Sequence, residues 1–237
     1  MDDLATIVGT GPVLVLAPHA DDESLGCGGL LAACWAGGVA AHVACLTDGA
    51  ASHPGSRDWP PARLAEQRRQ ELRDAVDLLG GDPRRDLTFL DHPDAQLHRI
   101  PEGLLAQQVG TLVDDRGARV LLAPSRHDPH CDHVAAAEAA ETVAAARPAL
   151  RLLSYPIWSR WVARPDPAPR VPGSRRLAFD TAPWRAAKAR AIAAHASQDG
   201  RVVRDDDGGF VLPEGFTTCL VAEPAIFDLR EGAPDAR

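Results

Sequence analysis

Aromatic side chains make up only 5% of the 237 residues, and lysine occurs once, at Lys188. Acidic residues outnumber basic ones, 33 against 25, for a formal net charge of −8. Such a balance leaves no electrostatic footprint for a nucleic-acid backbone or an anionic membrane surface. The five cysteines, Cys27, Cys34, Cys45, Cys131 and Cys219, include no Cys-x-x-Cys pair. That spacing excludes a zinc ribbon and a thioredoxin-like redox pair. A chain of this length buries a core without a disulfide framework, and Cys27, Cys34 and Cys45, among apolar neighbours, are expected as reduced, buried thiols. No apolar run approaches the ~20 residues of a membrane span. Met1-Asp2-Asp3-Leu4 is acidic where a signal peptide is basic, so the expected location is the cytoplasm.

Apolar residues are nonetheless plentiful, at 45%, which excludes a disordered chain. Val13 to Ala17 is a continuous apolar run, as in a strand buried on both faces. A helix follows from Gly28 to about Ala36, then a strand over Val39 to Leu46. Arg63 to Leu79 is helical and closed by Gly80-Gly81; Leu87 to Leu90 is a third strand. A helix from Pro101 to about Asp115, a strand over Arg119 to Ala123 and an Ala-rich helix from His133 to Ala145 continue the alternation. This rhythm predicts an α/β fold, a Rossmann-like, mostly parallel sheet with helices on both faces.

Beyond Leu150 the rhythm changes. Leu152 to Tyr155 reads as one more strand. Arg164 to Gly173 carries Pro165, Pro167, Pro169 and Pro172 and is expected as a loop, arm or substrate lid. Asp180 or Thr181 is placed to cap a helix from about Pro183 to Ala196, and the tail from Glu231 is expected to fray. Residues 1–237 are expected to form a single domain whose residues 150–237 elaborate the core.

The first strand ends in Pro18-His19-Ala20-Asp21-Asp22-Glu23. Loops at the C-terminal strand ends of an open α/β sheet form its ligand crevice. Three consecutive acids beside a histidine call for compensating positive charge, and His with Asp is a usual zinc donor set. The competing reading makes the acids helix N-caps, with Glu23 a cap or a supporting partner only. A dinucleotide site also competes, because Gly26-Cys27-Gly28-Gly29 opens a helix after a strand. A G-x-G-x-x-G fingerprint would need glycine where Leu31 stands; Gly28 and Gly29 are instead expected to permit close helix–strand packing.

The fourth strand is followed by His127-Asp128-Pro129-His130-Cys131-Asp132-His133, three of the chain's nine histidines in seven residues. Asp132 also fits the N-cap of the helix that follows. Parallel strands would bring both clusters to one edge of the sheet, facing each other across the crevice.

Leu16-Ala17-Pro18-His19-Ala20-Asp21-Asp22-Glu23 through Gly29 resembles the opening His-Pro-Asp-Asp-Glu motif of the PIG-L or LmbE-like family of zinc-dependent N-acetylglucosaminyl deacetylases, with Ala20 replacing proline. His130-Cys131-Asp132-His133 resembles its second motif, His-Pro-Asp-His, with Cys131 replacing proline. Arg68-x-x-Glu71, Phe89-Leu90 leading to Asp94, and Lys188-x-x-Ala191 leading to His195 extend the likeness over roughly residues 13 to 198. The resemblance implies one Zn2+ (or another divalent ion) per chain on His19, Asp22 and His133. It implies Asp21 as general base and His130 as general acid oriented by Asp132. Arg68 and Asp94 match substrate-contact positions, although a salt bridge from Arg68 to Glu71 is equally consistent with the spacing; His195 is placed either to line the site or to pack against the second metal loop. The implied reaction is hydrolysis of an N-acetyl amide on an amino sugar or N-acetylglucosaminyl conjugate, releasing acetate. The implied partner is a small molecule, with no nucleic acid and no stable membrane anchor, and homo-oligomerisation stays open. A zinc-containing sugar-binding protein without turnover and a nucleotide-binding oxidoreductase are the alternatives.

Overall fold

The computed structural model describes residues 1–230 except Thr10, Glu102 and Pro165; the tail from Glu231 lies outside the described residues. Five strands run parallel: β1 (Val13–Ala17), β2 (Ala41–Thr47), β3 (Leu87–His92), β4 (Val120–Pro124) and β5 (Arg151–Tyr155). Two antiparallel strands, β6 (Arg175–Phe179) and β7 (Ala225–Arg230), extend the sheet beyond β5. The strand order is β3-β2-β1-β4-β5-β7-β6. The expected parallel α/β sheet is therefore present, and the antiparallel edge is an addition to it.

Side-chain alternation in β1 divides the core. Val13, Val15 and Ala17 face the larger apolar cluster, under α1 (Leu4–Val8), α2 (Gly28–Ala36), α3 (Pro61–Leu78), α7 (Arg185–Ala194) and α8 (Phe216–Ala222). Leu14 and Leu16 face the other cluster, under α4 (Leu104–Asp115) and α5 (Cys131–Ala145). Burying both faces explains why β1 and β4 are apolar throughout. The short α6 (Trp158–Val162) follows β5.

The sequence order of the strands reverses between β1 and β4, since β1 leads on to β2 on one side and β4 to β5 on the other. A crevice opens at such a switch point, outside the C-terminal strand ends. The loop after β1 passes into a π-helical turn, Glu23–Cys27, before α2 begins. A Cβ on Gly29 would lie 2.6 Å from Thr181 Cγ2 and one on Gly28 3.1 Å from Lys188 Cγ. The glycines thus admit close packing, but against α7 and the turn before it in the C-terminal third and not, as expected, against a strand. Helix α5 starts two residues earlier than the apolar pattern suggests. Its N-cap is His130, whose Nδ1 accepts the Asp132 N–H at 3.2 Å, so Asp132 is released from capping. Cys27, Cys34 and Cys45 are buried free thiols. No helix among the described residues is long and apolar enough to cross a membrane.

Candidate active site

The loops after β1 and β4 meet at one carboxylate oxygen. Asp22 Oδ2 lies 3.3 Å from His19 Nδ1 and 3.3 Å from His133 Nε2. The opposite nitrogen of each ring faces a carboxylate. His19 Nε2 is 3.2 Å from Asp132 Oδ2 and 3.1 Å from Asp94 Oδ1, and His133 Nδ1 is 3.0 Å from Asp128 Oδ2. A neutral ring donates through its carboxylate-facing nitrogen and is left with a bare lone pair on the other. Both bare nitrogens then point at the same anionic oxygen, which is repulsive unless positive charge lies between them, either a metal ion or a second proton on each ring. His133 Nε2 is buried and has no hydrogen-bond partner. Tetrahedral coordination with bonds of 2.0–2.1 Å separates neighbouring donors by roughly 3.3 Å, which the two measured separations match. The donor types and these two separations suit a divalent cation of the zinc type, and among the described residues the groups whose ligand atoms all lie within 4.8 Å of one another include His19 with His130 and His133, and His19 with Asp94 and Asp132.

The surrounding charge has the same sense. Burial alone lowers the pKa of His133, but the charge of Asp22 and the bond to Asp128 outweigh it and leave the ring raised to about 9. Burial is outweighed likewise at His19 by Asp132, Asp22 and Asp94, and its pKa rises. Asp22, despite its own burial, is held well below the usual carboxylate range by His133 and His19. The ligand-type nitrogens of His19, His130 and His133 also lie within 4.8 Å of one another, so His130 borders the same point.

Asp21 sits beside this centre with a carboxylate of different character. Burial pushes its pKa up to about 7, even though the Arg68 guanidinium, 3.5 Å from Asp21 Oδ2, pulls it down. Arg68 is held by two carbonyls, Gly49 at 3.1 Å from Nη1 and Ala20 at 2.9 Å from Nη2. Its expected alternative bond to Glu71 does not form. Glu71 instead accepts from Gln67 and from the backbone and hydroxyl of Ser197.

Asp132 departs from its expected orienting role. Its carboxylate accepts from His19 and from the Ala95 and Leu97 N–H groups, at 2.8 and 2.9 Å, and touches His130 only through its own backbone N–H. Burial, with His19 and His133 nearby, pushes the His130 pKa down. Since Nδ1 accepts a hydrogen bond, the neutral ring carries its proton on Nε2. Asp128, a member of the second cluster with no role assigned from sequence, fixes His133 and also accepts from Ile157 N, Ser159 N and Ser159 Oγ.

A cleft of about 750 Å³ opens over these groups. His19, Asp21, Asp22, Arg68, Asp94 and His130 form its polar side; Leu25, Trp158, Phe210 and Val211 give it an apolar wall. Trp158 stacks on Phe216 at 4.6 Å between ring centroids and meets Phe210 edge-on at 5.8 Å. Residues 205–210 are laced to residues 52–58: Phe210 N–H donates to Ser52 O at 2.8 Å, and Asp205 accepts from Ser56, Arg57 and Asp58. Among the described residues, none of 164–173 lines the cleft, and Pro165 lies outside them. That segment is tied to the antiparallel edge instead, with Val171 N–H on Asp228 and Arg176 on the Ala168 carbonyl. His195 does not line the cleft either. It is 1% exposed and meets Glu23 Oε1 at 3.1 Å.

The family profile described as PIG-L, GlcNAc-PI de-N-acetylase, matches residues 14–144, more than half of the chain. No curated protein matches it. Among solved structures, the conserved protein TT1542 from Thermus thermophilus is 27% identical, with a TM-score of 0.59 over 79% of this chain and 80% of that one. N,N'-diacetylchitobiose deacetylase from Pyrococcus horikoshii is 17% identical, with a TM-score of 0.69 over 95% and 87%. The zinc-inhibited form of teicoplanin deacetylase Orf2 is 17% identical, with a TM-score of 0.71 over 95% and 100%. The last two likenesses establish the fold.

Proposed function

Because the chain belongs to the PIG-L family of de-N-acetylases, we propose that it hydrolyses the N-acetyl amide of an amino-sugar conjugate and releases acetate. The observation that carries this reading is the single Asp22 oxygen flanked at 3.3 Å by His19 Nδ1 and His133 Nε2, each ring backed by an aspartate. These three residues would hold one Zn2+ or a similar ion. When bound, such an ion supplies positive charge that acidifies a water and polarises an acyl carbonyl.

The chain's own residues do the rest. Asp21, with a proton affinity near neutrality, takes a proton from the attacking water as the oxygen bonds to the carbonyl carbon. Neutral His130 offers its Nε2–H to the oxyanion that develops. When the C–N bond breaks, the proton held by Asp21 passes to the departing amine, so that no amide anion has to leave. His130 thus acts in this reading chiefly as a donor to the oxyanion, which follows from its Nδ1 being engaged with the Asp132 N–H. Arg68 and Asp94 border the same cleft and suit sugar hydroxyls, which both donate and accept. The volume falls within the usual span for small-molecule sites, about 300–1,000 Å³. The names of the chitobiose and teicoplanin deacetylases support a sugar-linked amide as the substrate class.

The test is acetate release from N,N'-diacetylchitobiose and a panel of N-acetylglucosaminides, before and after chelation. Turnover should fall to background in chelated protein and return with Zn2+. Asp21→Asn should retain the ion yet lose about 10²–10⁴-fold in kcat. Undiminished turnover after verified metal removal would overturn the metal-dependent reading.

A further inference from the structure

Asp21 has φ = 143°, a backbone conformation that a side-chain-bearing residue rarely adopts. Such strain persists only where the surroundings over-determine it. Here the restraints are specific. Glu23 Oε2 accepts the Asp21 N–H at 3.1 Å. The Asp21 carbonyl accepts from Ser24 N and Leu25 N at 3.1 and 2.9 Å, starting the π-helical turn. Glu23 itself is fully buried, and its second oxygen is held by Ser24 Oγ at 2.5 Å and His195 Nε2 at 3.1 Å. His195 Nδ1 is buried without a partner, so Glu23 is the ring's one hydrogen-bonded anchor among the described residues. The segment just beyond His195 is fastened in turn: Ser197 N and Oγ donate to the two Glu71 oxygens at 2.8 and 2.6 Å. A continuous line of contacts therefore runs from α3 through Ser197 and His195 to Glu23 and ends on the Asp21 backbone. Neither Glu23 nor His195 lines the cleft.

We infer that Glu23 and His195 are positioning residues for Asp21: Glu23 grips its backbone N–H, His195 fixes Glu23, and together they aim the Asp21 carboxylate into the cleft from behind. The inference rests on the proposed role of Asp21 as base. It gives the C-terminal third a part in the chemistry without touching substrate. It also explains an ionisable pair in the core at a point where an apolar pair would pack without desolvating a charge.

The experiment compares Glu23→Ala, His195→Ala and His195→Gln in the full-length, Zn2+-loaded protein, alone and combined with Asp21→Asn. Metal content and melting temperature are measured beside kcat and KM. Misaiming a reacting group by about 1 Å costs about 10²-fold. Glu23→Ala should therefore lower kcat by about that factor, with KM within twofold and one ion per chain retained. His195→Ala should lower kcat less, and His195→Gln, whose amide N–H stands where Nε2–H was, should recover most of that loss. In the Asp21→Asn background none of these changes should lower the residual rate by more than about twofold, because the group they position is gone. If Glu23→Ala unfolds, the two His195 variants carry the test. Wild-type kcat in fully loaded Glu23→Ala and His195→Ala overturns the inference, as does a loss that multiplies undiminished in the Asp21→Asn background. Undiminished turnover in Asp21→Asn alone overturns the reading of Asp21 and this inference with it. A large loss there with none in the Glu23 and His195 variants overturns this inference only.

Discussion

The five-stranded parallel half and the C-terminal third contribute to the same cleft in different currencies. Up to β5, the chain supplies every histidine and carboxylate at the centre: His19, Asp21 and Asp22 after β1, Asp94 after β3, and His130, Asp132 and His133 after β4. After β5 it supplies Trp158, Gln198, Phe210 and Val211 to the walls, and His195 behind them. The first set is delivered by topology, because parallel strands flanking a switch point must end side by side. The second set is delivered by packing of an antiparallel appendage, and nothing in the sheet's connectivity demands those particular residues. Reactivity should therefore be sensitive to the first region and, through His195 behind Glu23, to one buried point of the second, whose cleft-lining residues should govern substrate preference.

Substitutions on either side sharpen that division. The largest effect is expected at Asp128, which lies behind a proposed ligand. Asp128→Asn weakens the hold on the His133 tautomer, and Zn2+ affinity measured by competition with a chelator should fall about 10–100-fold. Unchanged affinity would place the metal contacts elsewhere. A smaller effect is expected at Trp158. Trp158→Ala should raise KM about 2–10-fold, the range for losing an aromatic contact, and leave kcat of the bound substrate nearly unchanged. A matching fall in kcat would blur the contrast between wall and centre. The smallest effect on turnover is expected at Lys188, whose aliphatic stem packs on Gly28 of α2 and whose amine reaches α8.

Burial depresses the Lys188 pKa from 10.5 to about 7, with Arg160 adding to the effect, and its Nζ donates to the Leu220 carbonyl at 2.8 Å. Between those two values the unfolded chain binds a proton that the folded chain has released. Stability contributed at this site therefore rises with pH from about 7 to 10.5, by at most about 1.4 kcal/mol per unit. Denaturant titrations of Lys188→Met across this range should show a flatter profile, with kcat at neutral pH within about twofold of the unmodified protein. An equally steep profile would remove Lys188 as its source.

The same division separates what was readable in the residues from what was not. The parallel strands announce themselves because a strand buried on both faces must be apolar throughout, as β1 and β4 are. Helices α3 and α4 follow the 3.6-residue period, whereas α2 is apolar nearly all round and α5 is marked by its alanines. Strands β6 and β7 escape that reading. Arg175 and Arg176 open β6, and Asp228 stands in the middle of β7, a residue that strands disfavour. Asp228 is tolerated because Arg176 and the Val171 N–H satisfy its carboxylate, long-range pairings that no local pattern encodes. Within the site, the two motif loops meet at Asp22, as the parallel strands and the family resemblance implied. Asp128 was hidden because an aspartate in a Pro- and His-rich loop looks like turn chemistry. The contact of His195 was hidden by distance along the chain: its partner Glu23 is 172 positions away. The Pro-rich segment drew attention as a lid through its composition alone, whereas the wall formed from residues 208–211, whose glycines and charged neighbours resemble an ordinary turn.

The lacing of residues 205–210 onto residues 52–58 bears on the order in which the molecule is made. Synthesis proceeds from the N-terminus, and early segments begin to fold first. The parallel strands and both histidine loops are complete by Tyr155, so every residue that meets at Asp22 is made while about a third of the chain is still untranslated. His195, which meets Glu23, is made later, and the cleft wall is complete only once Phe210 and Val211 have followed. Assembly on this schedule withholds hydrolytic competence until translation is nearly finished.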